Sequence, residues 1–452
     1  MFFNKYIYRL LVVAIFLTSS FRVSSQNGIN SPYSQYGIGL NNMPYNIPSL
    51  AAIGGVVYSR SAANMLNPFN PASYGSIASE SFVFDMGLNI ETSTLSNNNK
   101  SQFDADGNIG YIAVGFPLAK WWKTALGVMP LTDVNYESIQ TTAIDPGGEV
   151  QTKYEGTGSV TQFFWGHGFN ILGGTDAAKP QLRAGFNLNF LYGNLTRAVT
   201  YDFTANDTTY FMNSRRQKDT YVKNLTFDLG LQYDYPIGEK YKFGAGLNIK
   251  PPRKMTVRDN ALVYTFVDYS ASEQWRDSIF PVAGNDSEFD SPLEQPLTTG
   301  LGLYFQRNSH WLVALDATFS PWNGLKYTEN NDFSIFGDSP LRYDKCKKLA
   351  LGFQLLGDKN STNYIRRITY SAGLHYESGR MSLELTEGNT YKLNEWGFGV
   401  GLSLPMRKGR SVLNISAAYS SFGTADLLRR DTFTIGISVG SCESWFVKRK
   451  FN

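Results

Sequence analysis

Leu225-Thr226-Phe227-Asp228-Leu229-Gly230-Leu231-Gln232-Tyr233-Asp234 is the stretch whose reading decides the fold. Every second residue is large and apolar, and every residue between is small or polar. A strand turns successive side chains to opposite faces, so this run predicts one apolar and one polar face. The same period recurs along the chain. Phe82, Phe84, Met86, Leu88 and Ile90 oppose Asp85, Gly87 and Asn89. Trp396, Phe398, Val400, Leu402 and Leu404 oppose Gly397, Gly399, Gly401 and Ser403, and Phe433, Ile435, Ile437 and Val439 close the series.

A soluble β-sandwich also alternates, so the connections have to discriminate. Strands are expected to begin near residues 80, 107, 121, 158, 180, 221, 240, 296, 310, 345, 364, 393, 411 and 432. Short connections (117–120, 236–239, 306–309, 357–363, 405–409) alternate with long ones (93–106, 137–157, 204–220, 258–295, 328–344, 380–390). Short turns at one end, long loops at the other, and an even strand count predict an all-β, up-and-down antiparallel membrane barrel of about 14 strands. Trp121, Trp122, Tyr241, Trp311 and Trp322 fall near strand ends, where an aromatic girdle meets headgroups.

Composition agrees. Of 452 residues, 15% are aromatic, 42 are glycine and only 17% are charged, as expected of an all-β chain. The 41 basic and 38 acidic residues leave +3, no footprint for nucleic acid. Lys5 and Arg9, the apolar run from Leu10 to Leu17 and the small residues Val23, Ser24 and Ser25 before Gln26 read as a signal peptide over 1–25. No later apolar run is long enough for a membrane helix.

Residues 26–79 lack the alternation and carry Pro32, Pro44, Pro48, Pro68 and Pro71 among Gly37, Gly39, Gly54 and Gly55. Inward positions of many strands are glycine, leaving room in a lumen, so this segment is expected to form an N-terminal lumenal hatch; the alternative is a periplasmic arm. The barrel is expected over 80–441, with a periplasmic tail over 442–452. Cys346 and Cys442 are expected at opposite rims and unpaired, because a disulfide needs Cα atoms within about 7 Å.

Asn70-Pro71-Ala72, following Ala62-Ala63-Asn64-Met65-Leu66-Asn67-Pro68, resembles the hatch motif of the FadL-type outer-membrane long-chain fatty-acid and hydrocarbon transporters. Trp311, Asp316 and Trp322, entered through Gly300-Leu301-Gly302, resemble a strand pair of that family, and 370–376 with 397–404 gives a weaker match. The resemblance implies outer-membrane localisation and passive uptake of small hydrophobic compounds, with sideways release into the membrane. It does not map a ligand pocket. Barrels of this fold also serve protein-secretion machinery, which is the alternative function. The partners implied are membrane lipids, a hydrophobic ligand, the barrel-assembly machinery during biogenesis, and a secretion-system protein under the second reading.

No enzyme, cofactor or metal is indicated. His167, His310 and His375 are dispersed; His375, on an inward face with Ser371 and Gly373, reads as a lumen histidine rather than a catalytic one. Asp104, Asp106 and Asn108, and Asp286, Glu288 and Asp290, are expected in external loops as incomplete calcium ladders. Lys448, Arg449 and Lys450 read as a solvated tail or a lipid-headgroup contact.

Overall fold

In the computed structural model the described residues are 31–40, 44–144, 148–174, 178–204, 212–270, 273–281, 288–323, 341–384, 389–406 and 411–444. The signal peptide, Asp286 and 448–450 lie outside them. The strands are β1 (Ser81–Ser96), β2 (Ser101–Pro117), β3 (Trp122–Ala143), β4 (Glu149–Leu172), β5 (Gln181–Thr204), β6 (Asn213–Ile237), β7 (Tyr241–Lys250), β8 (Arg253–Ser270), β9 (Glu273–Pro281), β10 (Glu288–Gln295), β11 (Thr298–Arg307) and β12 (Trp311–Pro321). They continue as β13 (Leu341–Tyr343), β14 (Lys345–Leu355), β15 (Thr369–Ser378), β16 (Met381–Glu384), β17 (Thr390–Lys392), β18 (Glu395–Pro405), β19 (Ser411–Thr424) and β20 (Leu428–Ser444).

Seventeen of these form one antiparallel sheet. Setting aside β8, β9 and β10, which extend one side of it, the other fourteen pair in the cyclic order β1 to β7, β11, β12, β14, β15, β18, β19, β20, and β20 returns to β1 from Ser81↔Ser444 to Ser96↔Arg429. Closure matters because an unpaired backbone group in hydrocarbon costs several kcal/mol. β13, β16 and β17 make a separate small sheet.

The predicted period sorts the faces. Leu88, Ile90, Leu225, Leu301, Leu349 and Phe398 point outward and are exposed, whereas Asp85, Asn89, Asp228, Asn248 and Asp316 on the opposite faces are buried. Outward aromatics cluster at the end that carries Ser81 and Ser444, the near end. There Trp121 stacks on Phe169 at 6.0 Å, and Phe305 lies 5.5 Å from Tyr241 and 5.8 Å from Trp311.

The far end departs from expectation. The long connections at 93–106, 137–157 and 204–220 are largely strand: β1 and β2 pair out to Ser96↔Ser101, and β3 and β4 to Ala143↔Glu149. The sheet keeps pairing after its side chains turn polar, so apolar alternation stops short of the strand ends. Asp104, Asp106 and Asn108 therefore lie in β2, and Glu288 and Asp290 in β10, rather than in loops.

The N-terminal segment touches strands around the whole ring. Inward glycines seat it: an added Cβ on Gly87 or Gly436 would meet Pro48, on Gly399 Ala51, on Gly373 Ile53, on Gly166 Tyr74 and on Gly185 Pro71, all within 3.0 Å. Ile47, Leu50, Leu66, Tyr74 and Ile77 share an apolar cluster with Val83, Tyr111 and Phe164 of the wall. Cys346 pairs with Ser320 at the far end of β12, and Cys442 with Val83 at the near end; both thiols are free.

Candidate functional site

Tyr58 is the pivot between segment and wall. Its ring lies over Gly300, where a Cβ would come within 2.2 Å of the ring, and its hydroxyl shares a hydrogen bond of 2.9 Å with Thr318. The Asp316 carboxylate accepts from the N–H groups of Val57 at 2.5 Å and Tyr58 at 2.8 Å. Asn70 donates to the Tyr58 carbonyl at 2.6 Å and Gln232 to the same oxygen at 2.9 Å. Asn70 Oδ1 also accepts from Ala72 N–H at 3.1 Å and caps the 3-10 turn Pro71–Ser76. Two positions singled out in the sequence, Asn70 and Asp316, thus hold the backbone of one residue, Tyr58, at its carbonyl and at its N–H. Their common partner is missing from the sequence reading; its only trace there is the pair Gly300 and Gly302, spaced to admit a ring.

Trp311 and Trp322 separate. Trp311 sits at the near end, paired with Arg307 and Leu355. Trp322, one residue beyond β12, stacks on Tyr343 at 6.1 Å with the Arg380 guanidinium 5.7 Å from its ring.

Above Tyr58 is a cavity of about 260 Å³ between segment and wall. Its lining combines apolar residues (Ile38, Phe69, Leu131, Leu191, Met255 and Leu293) with charged ones (Asp228, Asp316, Lys348, Glu377 and Arg380). An apolar cavity of about 150 Å³ holds benzene, so a small hydrophobic molecule fits this one.

The wall beside the cavity is interrupted. β6 pairs with β7 from Ile237↔Tyr241 to Leu229↔Ile249, and its ladder resumes with β8 at Val222↔Val257. Between them no described ladder pair joins residues 223–228 to the β7–β8 side, while the β5 ladder runs on through them. Pro251 and Pro252 cause the break, since neither has an N–H to donate. The next strand breaks at the same level, where Gln295 pairs with Arg253 and Thr298 with Lys250 on either side of Pro296. Thr226, Asp228, Lys250, Met255, Leu293 and Thr298 line both the break and the cavity.

His375 faces the lumen with Glu395 Oε1 at 3.6 Å from Nε2 and Tyr45 stacked on it at 4.3 Å. Ser371 accepts from Gln354 instead.

Several solved channels share this architecture. The CymD monoaromatic hydrocarbon channel is 13% identical with a TM-score of 0.52, covering 89% of this chain and 98% of its own. A Pseudomonas aeruginosa FadL homologue is 11% identical at 0.53, covering 88% and 98%, and the Pseudomonas putida toluene transporter TodX is 15% identical at 0.51, covering 88% and 97%. At such identities the likeness establishes the fold, the FadL-type outer-membrane barrel that the Asn70-Pro71-Ala72 motif implied. No curated protein matches the chain at a significant level. The sequence profile of the family described as BamG matches residues 6–452.

The chain belongs to the BamG family. The expected FadL-type resemblance holds at the level of the barrel, and the family that the sequence itself matches is BamG. In this BamG-family barrel Tyr58, Asp316 and Thr318 line the same cavity as the residues of the broken seam.

Proposed function

We propose that the barrel sits in an outer membrane and passes small hydrophobic compounds, without enzymatic chemistry, through the cavity and out of the wall between β6 and β8. The observation that carries this reading is the coincidence of the interrupted ladder at 223–228 with the amphipathic cavity behind it. A closed sheet keeps hydrocarbon from the lumen; a break flanked by Met255 and Leu293 gives an apolar solute a path that its own desolvation favours. The solved barrels of like fold are described as toluene transporters and a monoaromatic hydrocarbon channel, which supports a small hydrophobic cargo. Filling the cavity tests this: Leu191→Trp with Met255→Trp should cut uptake of radiolabelled toluene by vesicles carrying the protein. Unchanged uptake would overturn the reading.

A second reading is favoured by the match over 6–452 to a family whose name points to the barrel-assembly machinery. Here the barrel is a subunit that contacts other proteins, as the alternative drawn from the sequence also has it. Its signature is opposite in kind: depleting the protein lowers the amounts of other outer-membrane barrels, while the cavity-filled variant restores them fully.

A further inference from the structure

The turns at the near end are not alike. Most are short, but the connection between β14 and β15 runs over residues 356–368 and folds a single helical turn, Tyr364–Arg367, capped by Asn363 Oδ1, which accepts from the Ile365 N–H at 3.0 Å. Tyr370 fixes where that turn lies. In β15 the exposed Tyr370, Leu374 and Tyr376 alternate with the buried Ser371 and His375, so Tyr370 stands on the outward face. Its hydroxyl donates to Ile365 O at 3.4 Å, which hangs the turn on the lipid side of the rim. Tyr370 pairs with Leu355, and Leu355 with Trp311, so the turn sits at the level of the near-end aromatics.

The side chains of the turn suit the boundary between headgroups and hydrocarbon. Ile365 is 64% exposed, which is unfavourable in water but not at the edge of acyl chains. Arg366 and Arg367 follow it directly. Asp358, the one acid of the connection, is turned to the backbone: its N–H donates to Arg366 O at 2.8 Å, and its Oδ1 accepts from the Asn360 N–H at 2.9 Å. Neither guanidinium has a carboxylate partner among the described residues, and Arg367 Nε has no hydrogen-bond partner. Arg367 lies 5.1 Å from the Tyr364 ring, a contact that steadies its planar fork without using its donors. Two guanidinium forks beside an exposed isoleucine are complementary to a ligand with anionic oxygens at one end and hydrocarbon at the other.

We propose that residues 364–367 form a headgroup site for an anionic phospholipid of the near-end leaflet, with Arg366 and Arg367 donating to its phosphate and Ile365 set among its acyl chains. The site requires that the barrel span a bilayer, and it is independent of what passes through the lumen.

The probes are phosphatidylglycerol and phosphatidylcholine carrying the same photoreactive acyl chain, each added in trace amount to phosphatidylcholine vesicles that hold the full-length protein. Because the chains are identical, the ratio of the two labelling yields at residues 364–370 reads headgroup preference alone. Phosphatidylglycerol should be favoured, and the ratio should fall about fivefold for each arginine removed in Arg366→Gln and Arg367→Gln. Replacing two exposed lysines of other near-end turns, Lys120→Gln with Lys240→Gln, should leave the ratio at 364–370 unchanged. Ile365→Ser should lower labelling by both lipids together. All variants are compared on protein that keeps its heat-resistant mobility. A ratio near one in the unaltered protein, a ratio that survives loss of both arginines, or undiminished labelling of Ile365→Ser would overturn the proposal. So would a ratio abolished by inorganic phosphate at constant ionic strength, which would mark a site for free anions, or one that falls equally in the lysine variant, which would mark the averaged charge of the rim.

Discussion

At the scale of single residues, the grip on Tyr58 explains why a short Asn-Pro-Ala run is enough to mark the segment. Asn70 both caps its own turn and donates to the Tyr58 carbonyl, and Gly230 leaves the room it needs, since a Cβ there would lie 2.1 Å from Asn70 Oδ1. Pro71 fixes the turn that follows. Asn70→Ala is predicted to loosen the segment by about 1–3 kcal/mol, the usual cost of leaving a buried polar group without its partner. Hydrogen exchange should accelerate at the Val57 and Tyr58 amides in particular, because they bond to Asp316 and directly adjoin the Tyr58 carbonyl that Asn70 holds. Unaltered exchange there would mean that Asp316 and Gln232 suffice.

The Tyr58 grip also shows what a sequence can and cannot disclose. Asn70 and Asp316 stand out because a motif marks the one and a polar residue on an otherwise apolar strand marks the other. Tyr58 carries no such mark. Its importance comes from a contact with residues more than two hundred positions away, which no local periodicity encodes.

Among elements, the strands diverge in length for a reason visible in their composition. β3 to β6 run about twice the length needed to cross hydrocarbon, roughly 9–11 residues, so their far halves stand outside the membrane. That is why strand starts read at 121, 180, 240 and 310 agree with Trp122, Gln181, Tyr241 and Trp311, while those read at 107, 158 and 221 lie at Ser101, Glu149 and Asn213. Near-end starts are announced by turns and aromatics; far-end starts are hidden by polar residues on both faces.

Ion pairs hold this outer wall. Glu155 bonds Lys153 at 3.0 Å and Arg215 at 2.5 Å, and Lys153 reaches Glu137 at 3.1 Å. Partial burial would raise the Glu155 carboxyl, but Lys153 and Arg215 outweigh it and hold the group below its ordinary 4.5. A depressed folded value means the contribution is full above the unfolded value and fades as pH falls through the folded one. Amides at the β3–β4 tip are thus predicted to lose protection as pH falls below the ordinary carboxyl value of 4.5, ahead of the near-end amides of the same strands. Simultaneous loss along both strands would refute this.

The broken seam makes an element-scale prediction of its own. Replacing Pro251 and Pro252 by Val and Thr restores two N–H donors and lets β7 run into β8 beside β6. Amides at 223–228 that face β8 should become protected, and toluene uptake should fall, with the barrel otherwise intact. Greater protection without lower uptake would place the route elsewhere.

For the molecule as a whole, the ring and its contents are held by different forces. The ring is closed by backbone ladders that leave the N-terminal segment out, from β1–β20 around to β19–β20. The segment is held by glycine-lined fit, by the Tyr58 grip, and by the edge of β3. Deleting residues 27–79 is therefore predicted to leave a heat-resistant barrel, because every ladder except the bridge Leu40↔Asp133 survives. The lumen it vacates is lined partly by Asp228, Asn187, Asp316 and other polar groups that water can solvate and partly by apolar wall residues such as Val83, Tyr111 and Phe164, so emptying it costs stability without opening a ladder. Solutes should cross readily. Liposomes bearing the deleted protein should swell in small sugars far faster than those bearing the full chain. Because the deletion also strips the packing of Ile47, Leu50, Ile53 and Tyr74 from the wall, heat resistance should fall somewhat without being lost. A barrel that fails to assemble would show that the segment is needed to close the wall, and swelling that stays slow would show that the far end is sealed by the strands themselves.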